Sequence, residues 1–91
     1  MQDLPDGPKS LLILDDDGPL RNRLARAMES RGFNVVTAET VSEGISLAQQ
    51  TLPAYAVLDM RLADGSGLDV VAALRDARED ARIILLTSYG N

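Results

Sequence analysis

Residues 11–14 read Leu-Leu-Ile-Leu, and the next four residues are Asp15-Asp16-Asp17-Gly18. An apolar run without polar alternation is typical of a parallel strand that is covered on both faces. The abrupt change to acidic residues and glycine marks the end of that strand. The stretch therefore predicts the first strand of a parallel sheet, with three carboxylates at its carboxyl end.

Strands and helices are predicted to alternate along the rest of the chain. Further strands are expected at 33–38, 54–58 and 83–86, and helices begin near Pro19, Thr40 and Leu68. Thr40-Val41-Ser42-Glu43 is a capping box, which marks the start of the second helix. The order β-α-β-α-β-α-β implies right-handed crossovers and an α/β fold. We expect an open parallel sheet with helices on both faces, and a strand order of 2-1-3-4 would make the first and third strands neighbours.

Composition limits the possible functions. The chain has 91 residues, 45% hydrophobic and 25% charged, which fits one folded domain. Its net charge of −5 argues against direct binding of nucleic acid. Cysteine and histidine are both absent, which excludes disulfides, thiol nucleophiles, zinc sites and histidine catalysis. No apolar run is long enough to span a membrane, so we expect a cytoplasmic protein.

The sequence divides into a short tail and one domain. Residues 1–9 contain two prolines, a glycine and two acids, and are expected to form a flexible N-terminal tail. Residues 10–91 contain every predicted strand and helix. A single domain is therefore expected there.

The polar residues that follow the strands form the candidate site. Asp15 and Asp16 follow the first strand, Asp59 follows the third, and Thr87 follows the fourth. Ligands of open parallel sheets bind beyond the carboxyl ends of the strands, so these side chains are expected to meet in one crevice. Clustered carboxylates repel unless a cation neutralises them. An all-oxygen ligand set favours magnesium, calcium or manganese, and magnesium is the usual companion of phosphoryl groups.

Several other polar residues are interpreted as structural. We expect Asp17 to be a helix cap or turn residue, Asp64 to be a turn residue beside Gly65, and Ser66 to cap the third helix. The arginines of the first helix are expected to form a solvated face. Tyr55 is expected to pack in the core or against a helix.

Three stretches of the chain resemble a known family. They are SLLILDDDGPLRNRLARAMESRGFNVVTAET (10–40), AYAVLDMRLADGSGLDVV (54–71) and RIILLTSYGN (82–91). Together they resemble the receiver domain of two-component response regulators, which implies a flavodoxin-like fold with strand order 2-1-3-4. The second and third stretches are most similar to the redox-responsive global regulators of the RegA, PrrA and ActR type.

The resemblance implies a role for each residue of the candidate site. Asp59 would be the phosphoacceptor and would take its phosphoryl group from a sensor histidine kinase. Asp16 and Asp59 would bind Mg²⁺ directly, Asp15 would act mainly through water, and Arg61 would contribute its backbone carbonyl. Thr87 would be the switch hydroxyl that moves toward the phosphoryl group. The domain would be a signalling phosphoacceptor rather than an enzyme.

The chain also departs from the family pattern. Receivers continue through a fourth helix, a fifth strand and a fifth helix, and a lysine after the fifth strand contacts the phosphoryl group. We expect the single lysine, Lys9, to lie at the opposite end of the sheet, so phosphorylation of this chain is expected to be weak. Either the chain is a fragment of a longer regulator with a DNA-binding output domain, or it assembles with itself. Self-assembly would use the exposed fourth strand or exchanged elements.

Two other functions remain open from the residues. One is a receiver-like interaction module that binds a cation without productive phosphorylation. The other is a haloacid-dehalogenase-type phosphatase, in which Asp15 would be the nucleophile, Asp17 the acid–base group and Thr87 part of a second motif. The phosphatase interpretation leaves Asp59 and the Gly65–Gly67 loop unexplained.

Overall fold

The structure is a computed structural model that describes residues 9–86. Its elements in chain order are β1 (Ser10–Leu14), α1 (Gly18–Glu29), β2 (Asn34–Ala38), α2 (Val41–Thr51), β3 (Tyr55–Asp59), β4 (Arg61–Leu62), β5 (Gly65–Ser66), α3 (Gly67–Ala77) and β6 (Arg82–Leu86). The predicted alternation of strands and helices is confirmed, and β6 is the predicted fourth strand. The segment after Asp59, which was expected to be a loop, contains the short antiparallel hairpin β4–β5. Most of the predicted tail, and Thr87, lie outside the described residues.

The main sheet is parallel and has the order β2-β1-β3-β6, which confirms the predicted order 2-1-3-4. β1 and β3 are neighbours, and Leu14 pairs with Leu58. Asp15 follows Leu14, and Asp59 follows Leu58. The register therefore brings Asp15 and Asp59 to the same edge of the sheet. The architecture and the strand order are those of the flavodoxin-like fold that the resemblance implies.

The core lies between the sheet and the helix pair α2–α3. Alternate residues of β1 and β3 enter it, and they meet buried residues of both helices: Leu12, Leu14, Ala48, Ala56, Leu58, Val70 and Leu74. Gly44 lets α2 come close, because a Cβ at that position would lie 3.1 Å from Val70 Cγ2 and 3.3 Å from Leu14 Cδ2. This packing fixes α2 and α3 relative to the ends of β1 and β3.

Helix α1 covers the other face only in part, and none of its residues is buried. Met28 of α1 lines an apolar groove of about 260 Å³ together with Leu11, Val57 and Ile84. Ile84 is 61% exposed and lies on β6, which is an edge strand among the described residues. Within residues 9–86, the fourth strand of the sheet therefore exposes apolar surface.

Two aromatic rings pack against each other at the amino end of the sheet. The rings of Tyr55 and Phe33 meet edge to face with centroids 5.5 Å apart, and Lys9 Nζ lies 5.5 Å from the Phe33 centroid. Tyr55 therefore packs against the ring of Phe33, just before β2.

Within residues 9–86, none of the helices combines the length and apolar character that a bilayer crossing requires.

Candidate functional site

Three aspartates converge at the carboxyl ends of β1 and β3. One carboxylate oxygen from each of Asp15, Asp16 and Asp59 lies within 4.8 Å of the others. Asp15 and Asp59 are 5% and 8% exposed, whereas Asp16 is open to solvent. These three side chains were expected to meet, and the sheet register brings them together.

The local environment of Asp15 penalises its negative charge. Burial raises the pKa of Asp15, and the charges of Asp59, Asp16 and Asp17 raise it further. A hydrogen bond of 2.9 Å from the Asp17 amide to Asp15 Oδ1 lowers the pKa and only partly offsets these effects. A cation between the carboxylates would remove the repulsion and stabilise the charged form.

The donor set suits a hard divalent cation. The three side chains offer only carboxylate oxygens, which are the ligands that Mg²⁺, Ca²⁺ and Mn²⁺ prefer over nitrogen or sulfur. Solvent reaches the cluster on the Asp16 side, which leaves room for the waters that Mg²⁺ retains. The residues therefore fit a divalent cation at this edge of the sheet.

The β3–α3 loop (residues 60–66) is fixed at its base, beside Asp59. The Arg61 amide donates to Asp59 Oδ1 at 3.1 Å, and the Gly67 amide donates to the Met60 carbonyl at 3.0 Å. The Met60 amide donates to the Leu86 carbonyl of β6 at 3.0 Å. These bonds orient the Asp59 carboxylate and place the backbone of Arg61 next to it.

Asp64 was expected to be a turn residue, and that interpretation is incomplete. Its Oδ1 accepts a hydrogen bond from the Val41 amide at 2.9 Å, and its Oδ2 accepts one from the Ser42 amide at 3.2 Å. The bond from Val41, with that from Ser42, holds the pKa of Asp64 below its usual range. Asp64 is therefore a cap for α2 supplied from 23 residues away. A local sequence pattern cannot reveal a partner at that separation.

The arginines of α1 were expected to form a solvated face, and this expectation is wrong for Arg21. Its Nη1 atom donates to the backbone carbonyl of Asp15 at 2.7 Å, and the residue is half-buried. The guanidinium thus ties the first turns of α1 to the end of β1. Arg23 and Arg26 are exposed, as expected.

The predicted helix caps are otherwise confirmed. Asp17 Oδ1 accepts from the Leu20 amide at 3.0 Å, and Ser66 Oγ accepts from the Leu68 amide at 3.1 Å. Thr40 Oγ1 accepts from the Glu43 amide at 3.1 Å. The capping box differs in one detail, because Glu43 Oε1 accepts from the Glu39 amide rather than from that of Thr40.

Lys9 lies at the amino end of β1, as expected, and the structure also places it against Phe33. Asp15 follows the carboxyl end of the same strand. The length of β1 therefore separates this lysine from the three aspartates.

Comparison with known proteins agrees with the fold described above. The response regulator receiver domain family matches residues 11–91. The chain is 60% identical over 86 residues to the acid tolerance regulatory protein ActR of Rhizobium meliloti, covering 93% of this chain and 44% of that protein. It is 58% identical over 82 residues to the photosynthetic apparatus regulatory protein RegA of Cereibacter sphaeroides, covering 90% of this chain and 45% of that protein.

A solved structure gives the same result at the level of the fold. A response regulator from Burkholderia pseudomallei, crystallised with a phosphorylated aspartic acid, a calcium ion and citrate, superposes with a TM-score of 0.81. The two are 36% identical, and the match covers 89% of this chain and 48% of that one. The chain spans less than half the length of the curated relatives described above. The match over residues 11–91, together with these likenesses, shows that the chain belongs to the response regulator receiver domain family and is a receiver domain of the two-component type.

Proposed function

We propose that Asp59 accepts a phosphoryl group from the phosphohistidine of a sensor histidine kinase. The observation that carries the proposal is the meeting of Asp15, Asp16 and Asp59 within 4.8 Å at the ends of two neighbouring strands. Asp59 is buried to 8% exposure and held by the Arg61 amide, so its carboxylate is oriented before any ligand binds. The bound calcium and phosphorylated aspartate of the B. pseudomallei protein support the assignment by likeness.

The proposed reaction is an in-line displacement at phosphorus. An oxygen of Asp59 forms a bond to phosphorus while the bond to the histidine nitrogen of the kinase breaks, and that nitrogen keeps the electron pair. Mg²⁺ would neutralise negative charge on the oxygens of the phosphoryl group as it is transferred. Asp16 and Asp59 would hold the cation directly, Asp15 mainly through water, and the Arg61 backbone carbonyl would complete the protein ligands.

Further parts of the proposal concern residues and partners outside the described site. Thr87 would donate its hydroxyl to the phosphoryl group as the switch residue. Residues 10–91 would act as the receiver unit. The regulatory names of ActR and RegA support a regulatory role. Transcription control in the cytoplasm, with DNA contacted by an output domain of a longer chain, is part of the same proposal.

Phosphorylation by a small donor tests the proposal directly. The 91-residue chain would be incubated with acetyl phosphate and Mg²⁺ and its intact mass measured. We expect a minor fraction with one added phosphoryl group, because Lys9 is too far from the site to help neutralise the product. The adduct should be present in an Asp76→Asn control, which changes an exposed aspartate of α3, and missing from Asp59→Asn. An equal adduct in Asp59→Asn would exclude Asp59 as the acceptor.

The position of Lys9 also favours a second candidate, an interaction module that binds a cation without productive phosphorylation. In this case self-association through β6 is proposed, because Ile84 and Leu85 are exposed on that strand. Mg²⁺ binding that depends on Asp16, with no adduct in the intact mass, would favour this candidate.

The phosphatase interpretation does not fit, because the chain belongs to the receiver family and the Asp17 carboxylate caps α1.

A further inference from the structure

The structure assigns a positioning role to Asp64: by binding the amino end of α2, it fixes the β3–α3 loop that holds Asp59 and Arg61 in place. The inference rests on the proposed function only in taking Asp15, Asp16 and Asp59 as the cation site. Asp64 itself touches neither the cation position nor the acceptor carboxylate. It would act through the loop backbone.

The far end of the loop is attached to α2 by Asp64 and its neighbour. The two carboxylate oxygens of Asp64 accept from the Val41 and Ser42 amides, at 2.9 and 3.2 Å. Gly65 has φ +150°, a conformation that side chains rarely adopt, and a Cβ there would lie 3.5 Å from Val41 Cγ2. Val41 is itself buried in the core. The tip of the hairpin therefore lies against the buried start of α2.

The near end of the loop is attached to the sheet. Met60 is bound on both sides, because its amide donates to Leu86 and its carbonyl accepts from Gly67, each at 3.0 Å. Between these two attachments, Arg61 pairs with Ser66 in the hairpin. The Arg61 amide that orients Asp59 thus lies on a segment held at one end by the sheet and at the other by Asp64.

The contact needs a carboxylate and not only a polar side chain. Two amides of a helix terminus point at two oxygens of one residue, and the positive end of the helix dipole favours the negative charge. Asparagine could accept only one of these hydrogen bonds, and its NH₂ group would face the other amide. Asp64→Asn therefore breaks the attachment while nearly preserving the shape of the side chain.

Thr40 provides a matched control for the stability of the helix. It caps the same end of α2 by accepting from the Glu43 amide, but it has no hydrogen bond to the β3–α3 loop among the described residues. Thr40→Ala should weaken α2 without releasing the loop. Asp76→Asn matches the change of charge at an exposed site on α3.

The experiment measures two properties of the full 91-residue chain, the dissociation constant for Mg²⁺ by calorimetry and the exchange rate of the Arg61 amide by NMR. For Asp64→Asn we expect Mg²⁺ to bind roughly 10-fold more weakly, as for other residues that orient metal ligands, and the Arg61 amide to exchange faster. Thr40→Ala and Asp76→Asn should leave both properties near the wild-type values. The inference would be overturned if Thr40→Ala changed the Mg²⁺ dissociation constant and the Arg61 exchange rate as much as Asp64→Asn does. It would also be overturned if Asp64→Asn left both properties at their wild-type values.

The wild-type protein supplies a second measurement that needs no substitution. Coupling between two sites is reciprocal, so Mg²⁺ binding should slow the exchange of the Val41 and Ser42 amides. The Glu43 amide, which is bound to Thr40, is the internal reference. Slower exchange at Arg61 with no change at Val41 and Ser42 would contradict the coupling.

The outcomes separate this inference from the proposed function. If the wild type fails to be phosphorylated while Asp64→Asn still speeds exchange at Arg61, the function fails and the positioning role stands. If the wild type is phosphorylated on Asp59 while Asp64→Asn changes neither Mg²⁺ affinity nor exchange, the function stands and the positioning role fails.

Discussion

Gly67 lies directly against the backbone carbonyl of Asp59, so closely that a Cβ at position 67 would overlap the carbonyl oxygen and crowd the carbonyl carbon. The same glycine begins α3 and donates its amide to Met60. The start of α3 and the end of β3 are therefore in van der Waals contact beside the acidic cluster. Only a residue without a side chain allows this approach.

Replacing Gly67 with alanine should destabilise the protein strongly. The added carbon meets backbone rather than a flexible side chain, so the end of β3 or the start of α3 has to move. We expect the free energy of unfolding to fall by about 2–4 kcal/mol, measured by chemical denaturation. Gly18→Ala is the control, because a Cβ there would be 3.8 Å from the nearest atom, the Nη2 of Arg21. Equal stabilities for the two variants would contradict the crowding argument.

Asp15→Asn should stabilise the protein when divalent cations are absent. Burial and neighbouring carboxylates raise the pKa of Asp15 in the folded state above the ordinary value of 3.8. Below that value the aspartate is protonated in both states and has no effect. As pH rises from there through the folded-state pKa, the unfolded chain ionises more readily and wild type loses stability relative to Asp15→Asn.

The expected gain at neutral pH is on the order of 1 kcal/mol. Asparagine keeps an oxygen for the Asp17 amide, so the local hydrogen bond is retained. Thermal melts in EDTA across the acidic and neutral range would measure the difference. A difference that does not vary with pH would rule out charge repulsion as its cause.

Asp16 should control cation binding without contributing much to folding. It is exposed, and its carboxylate completes the cluster with Asp15 and Asp59. Mg²⁺ should raise the melting temperature of wild type, because a ligand that binds only the folded state stabilises it. The increase should largely disappear in Asp16→Asn and persist in Asp76→Asn. A Mg²⁺-dependent increase of equal size in Asp16→Asn would place the cation elsewhere.

Ile84 should promote self-association of the 91-residue chain. It is 61% exposed on β6, which is an edge strand of the sheet formed by residues 9–86, and unpaired backbone groups of an edge favour pairing with another chain. Ile84→Glu should shift sedimentation velocity profiles toward the monomer. Leu68→Glu is the matched control, because Leu68 is 50% exposed but lies on α3. A wild-type chain that remains monomeric at high concentration would show that β6 does not pair.

The sequence alone was enough to predict the alternation of strands and helices, the strand order and the three converging aspartates. It also identified the caps Asp17, Thr40 and Ser66. The alternation and the caps depend on short-range physics, because apolar periodicity and capping operate within a few residues. The strand order followed from the resemblance to a known family. The aspartates met as expected because the carboxyl ends of neighbouring parallel strands share one edge, whatever the details of packing.

Only the tertiary structure showed that Asp64 caps α2, that Arg21 binds the Asp15 carbonyl and that Gly67 touches Asp59. Each contact depends on the distance and angle between two elements, which follow from how α1, α2 and α3 pack on the sheet. An aspartate before a glycine has the same local signature whether it turns the chain or caps a helix 23 residues away. Packing of the core decided between those roles.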